Sequence, residues 1–224
     1  MRLSLLTLLL VVTMALPARA ETGAHAVDGT TLVMTDGRQI VLAGVYAPMT
    51  NAPLLEKLVT GQDLKIAGRR TDRYGRLLAT VALPDGRDLA SALLEAGAAQ
   101  FFPATTSDKK LAIAESSGRR KGTGVWQQPE TRILTAEEAE KHTNAWRIVE
   151  GTVTSVTLLG STTFVNFGTD WKTDFTLRMS KRVALKMQSA LQTGHKLRAR
   201  GWLAWRNGPE IEITSPLQVD IDAN

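Results

Sequence analysis

Apolar and polar positions alternate with a period of two over much of this chain, and helical spacing interrupts the alternation in a few places. Thr31–Met34 and Gln39–Ala43 read as short strands. Between them, Thr35-Asp36-Gly37-Arg38 carries the Asp-Gly pair of a tight hairpin turn. From Asn51 the spacing lengthens. Leu55, Leu58 and Val59 make one apolar stripe, with Asn51 expected as the cap, Pro53 in the first turn and Gly61 as the stop. Asp63–Ala67 and Leu77–Leu83 return to strand, and two more helices are predicted, from near Asp88 to Gly97 and from about Ser107 to Ser117.

Residues 128–145 change character. Pro129 and the acidic run "TAEEAEK" predict a linker with a helical turn. Beyond it, "IVEGTVTSV", "FVNF" and "DFTL" alternate as strands. "SKRVALKMQSALQTG" then places Val183, Met187 and Leu191 at helical spacing, with Ser180 as cap and Gly194 as stop. "HKLRARGWLAW" and "PEIEIT" follow as two strands around an Asn207-Gly208 turn. Three strands, a helix and two strands is the order of an OB-fold, with another small β-barrel as the alternative. Trp202, following Gly201 inside a strand, is expected in the core. The expected architecture is mainly β with helices (α+β): two tandem OB-fold-type barrels, residues 21–127 with three helices and residues 146–224.

The first twenty residues stand apart. Arg2, the apolar run Leu3–Pro17 and Ala18-Arg19-Ala20 have the form of a secretory signal peptide cleaved near Ala20. A periplasmic or secreted location is therefore expected. Cysteine is absent, which removes thiolate metal sites and thiol nucleophiles, and the three histidines, His25, His142 and His195, are scattered. The formal net charge of +5 includes Arg2 and Arg19 of the leader, so the remaining excess permits polyanion contact without demanding it.

Three stretches narrow the chemistry: "VDGTTLVMTDGRQIVLAGVYAP", "DRYGRLLATVALPDGRDLASALLEAGAAQ" and "GRRKGTGVW". Together they resemble the staphylococcal-nuclease-like (thermonuclease) family over about Ala24 to Trp126. The resemblance implies an OB barrel with three helices and cleavage of DNA and RNA phosphodiesters, usually with calcium. Such cleavage needs a hard cation held by carboxylates, arginines that fork onto phosphate oxygens, and a carboxylate to orient the attacking water.

Carried over position by position, the resemblance puts the first metal-binding aspartate at Thr30 and the second at Tyr46. It puts one arginine at Val41 and the glutamate base at Met49. The second arginine is retained as Arg76, and the supporting aspartate as Asp28. Arg38 precedes Val41 by three residues, an odd offset that points it to the opposite face of a strand. With one carboxylate in reach, calcium is expected to bind poorly, and no cofactor is expected; calcium enters only if the protein is an active enzyme with an altered centre.

The function expected is that of a nuclease-like protein, more a binding module than an enzyme. Nucleic acid, another polyanion or an envelope protein is the partner. The alternative is an active metal-dependent phosphodiesterase or endonuclease with an altered centre. Candidate binding residues are Arg69, Arg70 and Arg73 around one strand-to-strand turn, and Trp171, Lys172, Trp205 and Arg206 in the second barrel, where aromatics and cations suit an oligonucleotide.

Overall fold

The computed structural model describes residues 20–170 and 172–220. Apart from Ala20, the expected signal peptide lies outside the described residues, as does Trp171.

The first half builds on β1 (Ala20–Glu21), β2 (His25–Ala26), β3 (Thr31–Val33), β4 (Gln39–Leu42), β6 (Leu64–Thr71) and β7 (Leu77–Ala82). A separate pair joins β5 (Val45–Tyr46) to β8 (Gln100–Phe101). The main sheet runs in the order β1-β6-β7-β4-β3-β2. It begins and ends on the same stretch of chain, so one bent strand, 20–26, pairs at both edges and closes a barrel. Leu32, Ile40, Leu42, Leu64 and Val81 point inward and are buried. Three helices complete this core: α1 (Ala52–Val59) through Leu55 and Val59, α2 (Leu89–Glu95) through Leu89, Leu93 and Leu94, and α3 (Lys110–Lys121) through Leu111 and Ala114.

The second half repeats the plan. Its elements are β9 (Ile133–Thr135), β10 (Ala145–Thr152), β11 (Ser155–Leu159), β12 (Thr162–Asn166), β13 (Thr176–Ser180), α4 (Lys181–Leu185), β14 (Lys196–Trp205), β15 (Pro209–Ile213) and β16 (Val219–Asp220). The sheet order is β11-β12-β13-β15-β14-β10-β9, with β16 against β14. β10 and β11 flank Val153-Thr154 and act as one bent strand that reaches β14 on one side and β12 on the other. β13 runs parallel to β15, as β4 does to β7. Strand one thus pairs with strands four and two, and strand three with strand five, the closure of an OB barrel. Within 128–145, β9 pairs with β10, and a 3-10 helix over Ala136–His142 carries a capping box between Thr135 and Glu138.

Four local expectations change. Asn51 stands at the start of α1, but its side chain donates to the Ala98 carbonyl and caps nothing. The third helix begins at Lys110 rather than near Ser107, and runs on until left-handed Gly122, φ 61°, stops it. The helix capped by Ser180 ends at Leu185; turns carry Met187 and Leu191 into the core. Trp202 is not core: it is 60% exposed. Leu197, Ala199 and Leu203 already fill the inward side of β14, so the even-numbered positions face outward. Gly201 is needed there for closeness, since a Cβ on it would lie 2.4 Å from Ile211.

The two barrels meet along a seam. Arg200 of β14 and Glu115 of α3 form a buried 2.7 Å ion pair. Glu115 Oε1 also accepts the Phe101 backbone N–H at 2.7 Å, and Arg200 donates to the Phe101 carbonyl at 3.2 Å. Burial holds the Arg119 guanidinium below its usual pKa; Arg198 and Arg200 lower it further, and Glu115 and Asp220 only partly compensate.

Candidate functional site

The turn Asp28-Gly29-Thr30 packs on the segment that follows β5. A Cβ on Gly29 would sit 2.5 Å from the Pro48 carbonyl oxygen and 2.8 Å from the Ala47 Cβ, so only glycine lets the two stretches meet. Asp28, Thr30, Tyr46 and Met49 are thereby gathered at one end of the first barrel. Thr31, Val41 and Leu78 lie in one row across β3, β4 and β7, and Arg76 immediately precedes β7.

Asp28 spends its side chain on its own turn. Oδ1 accepts the backbone N–H groups of Thr30 and Thr31, each at 2.7 Å, and the Thr30 hydroxyl at 3.1 Å. Arg76 is likewise engaged: its Nε donates to Asp72 Oδ2 at 2.7 Å, and Asp72 Oδ1 accepts the backbone N–H groups of Tyr74 and Arg76. Burial pushes the Asp72 carboxyl up, but these hydrogen bonds outweigh it and leave the pKa below the ordinary value. Arg76 and Arg73 both lie over the Tyr74 ring, 5.4 and 4.8 Å from its centroid.

Tyr46 and Met49 stand open to solvent, 39% and 78% exposed. The Tyr46 ring lies 6.0 Å from Trp146 of the second barrel and 6.5 Å from Phe102. Phe102 and Trp146 meet edge to face at 4.6 Å. These three rings could not be placed together from the sequence, because Trp146 belongs to the other barrel.

Two grooves accompany this centre. One, about 490 Å³, runs over β6 and β7 under the loop 104–107 and is lined by Arg69, Arg70, Leu78, Thr80, Thr105, Thr106 and Ser107 among others. Arg69 and Arg70 are exposed and pair with no carboxylate among the described residues. Arg73 lies outside this groove. The second groove, about 680 Å³, crosses β11, β12, β13 and β15 and ends at the 206–209 turn. Thr157, Phe164, Asn166, Thr176, Arg178, Arg206 and Glu210 line it. Of its two arginines, Arg178 is bound by Glu210 and Glu212, each at 2.9 Å, while Arg206 pairs with no carboxylate among the described residues. Of the second-barrel candidates, Arg206 lines this groove; Trp205, 49% exposed, and Lys172 lie outside its walls.

Against known proteins, residues 39–128 match the family described as Staphylococcal nuclease homologue. Over 112 residues the chain is 28% identical to a protein described as an "Uncharacterized endonuclease" from Escherichia coli O157:H7, and equally to one so described from Escherichia coli. Each alignment takes in 46% of this chain and 73% of the relative. Val41, Tyr46, Met49 and Arg76 fall inside the matched segment; Asp28, Thr30 and the second barrel do not. Residues 39–128 of this chain are therefore a staphylococcal nuclease-like domain.

Proposed function

We propose that this protein is a secreted or periplasmic nuclease-like protein that binds nucleic acid, or a polyanion of similar charge, without cleaving it. The observation that carries this reading is Tyr46. At the position of a metal-binding aspartate it presents an uncharged ring packed towards Trp146 and Phe102.

The donor set supports the same reading. Among the described residues no group of three or more His, Asp or Glu side chains converges on one point. Asp28 is the one carboxylate of the site pattern that is retained, and its Oδ1 already accepts three hydrogen bonds. Calcium affinity rises with the number of charged oxygens, so these residues do not fit a hard dication. Arg76 persists, but it is turned onto Asp72. Arg69 and Arg70 offer uncompensated charge along a groove of the matched domain.

The test is a salt titration of single-stranded DNA binding, run beside cleavage assays with calcium, magnesium and manganese. The reading expects binding that weakens as salt rises and intact DNA and RNA throughout. Metal-dependent hydrolysis lost in Asp28→Ala would instead establish an active phosphodiesterase. Absence of binding at low salt would remove the polyanion.

A further inference from the structure

We infer that Tyr46 and Trp202, linked through Phe102 and Trp146, present a stacking surface across both barrels, and that the ligand is a single strand whose unpaired bases lie on it. This deepens the polyanion reading and rests on it.

Trp146 and Trp202 are direct partners in the register of β10 and β14. Directly opposed residues of an antiparallel pair share a face. Trp146 in turn meets Phe102, and both meet Tyr46. The four positions therefore follow one another from the first barrel to the second, with buried Trp146 between the open rings of Tyr46 and Trp202. The inner members are sheltered: Trp146 is 7% exposed and its Nε1 has no hydrogen-bond partner. The outer members, Tyr46 and Trp202, are 39% and 60% exposed. Packing does not account for Trp202, because the core side of β14 is filled without it.

Charge lies alongside. Phe102 opens the segment whose next residues, Ala104 to Ser107, wall the groove that holds Arg69 and Arg70. One short stretch of chain thus joins the aromatic surface to two uncompensated guanidinium groups. A duplex hides its base faces inside its own stack. A single strand offers bases to the rings and phosphates to the arginines, the pairing used by sequence-tolerant single-strand binders. The larger groove of the second barrel is a poorer fit, since one of its two arginines, Arg178, is held by Glu210 and Glu212, and Glu210 brings a negative charge into the groove.

The experiment is a titration of the chain from Glu21 onward with oligo-dT and with the oligo-dT·oligo-dA duplex, read by tryptophan emission and by anisotropy. Oligo-dT is expected to quench the emission and to bind about tenfold more tightly than the duplex. Trp202→Ala should weaken oligo-dT binding about tenfold and leave duplex binding unchanged. Trp202→Phe should recover most of the loss. Arg69→Ala with Arg70→Ala should lower the salt slope for oligo-dT by about 1.4. Trp202 is exposed, so an unchanged melting curve separates lost stacking from lost folding. Equal binding of strand and duplex, or a silent Trp202→Ala, would overturn the stacking surface and leave the polyanion reading standing. Failure to bind either nucleic acid at low salt would overturn both.

Discussion

Glu115 and Arg200 are 85 positions apart in the chain and lie 2.7 Å apart in the fold, 2% and 5% exposed at the side chain. Two charges removed from water require full pairing. Here the carboxylate has the guanidinium and the Phe101 N–H, while the guanidinium also reaches the Phe101 carbonyl. Arg200→Ala or Glu115→Ala strands one buried charge and should cost about 3–5 kcal/mol in denaturant unfolding. Glu115→Leu with Arg200→Met should recover much of that loss. A single-variant effect below about 1 kcal/mol would mean that the seam is open to water.

Helices α2 and α3 approach through Gly118, where an added Cβ would lie 1.9 Å from the Leu94 carbonyl oxygen. Backbone cannot yield as a side chain does. Gly118→Ala should therefore destabilise by about 1–3 kcal/mol, despite alanine's better helix propensity. Thermal unfolding would show a lowered midpoint; an unchanged or raised one would refute this contact.

Glu138 offers a pH test. Its hydrogen bonds from Arg132 and the Thr135 backbone N–H hold its pKa at about 2, against an ordinary value of 4.5. A carboxyl with a depressed folded pKa contributes stability that is complete above the unfolded value and is lost as pH falls through the folded one. Glu138→Gln should thus lower the melting temperature slightly at neutral pH, with the difference from the parent closing between about pH 4.5 and pH 2. A difference independent of pH would show that charge is not the cause.

Restoring the missing groups tests the centre itself. Thr30→Asp, Val41→Arg, Tyr46→Asp and Met49→Glu made together should add calcium binding measurable by calorimetry, with none in the parent. The same variant should melt lower, because Tyr46→Asp gives up ring contacts worth about 0.5–1.5 kcal/mol. Calcium binding by the parent would contradict the proposed loss of metal.

Much of this was legible in the sequence for physical reasons. Period-two runs found the barrel strands, and the Asp36-Gly37 and Asn207-Gly208 turns were marked by residues that accept positive φ. The Asp88 cap is also where a helix starter belongs, its side chain accepting the Ser91 N–H. Side-chain competition was harder to read. The Asn51 amide donates to the Ala98 carbonyl and accepts none of the N–H groups at its own helix end. Trp202 shows a misapplied cue: strand parity with Leu197, Ala199 and Leu203 places it outward, whereas Gly201 had suggested a crowded interior. The site was the least legible part. Arg76 turns onto Asp72 four residues away, a local turn pairing, whereas Tyr46 faces a ring a hundred positions away, a contact that depends on how two barrels dock rather than on any local pattern.

β11 pairs with β12 alone among the described residues, and its five residues, Ser155–Leu159, include neither a charge nor a proline. Leu158 and Leu159 are 51% and 71% exposed. Nothing on that margin repels a neighbouring copy. Concentration and storage thus become structural variables: crowded chains can join rim to rim there, and a lysine at Val156 would be the simplest safeguard of solubility.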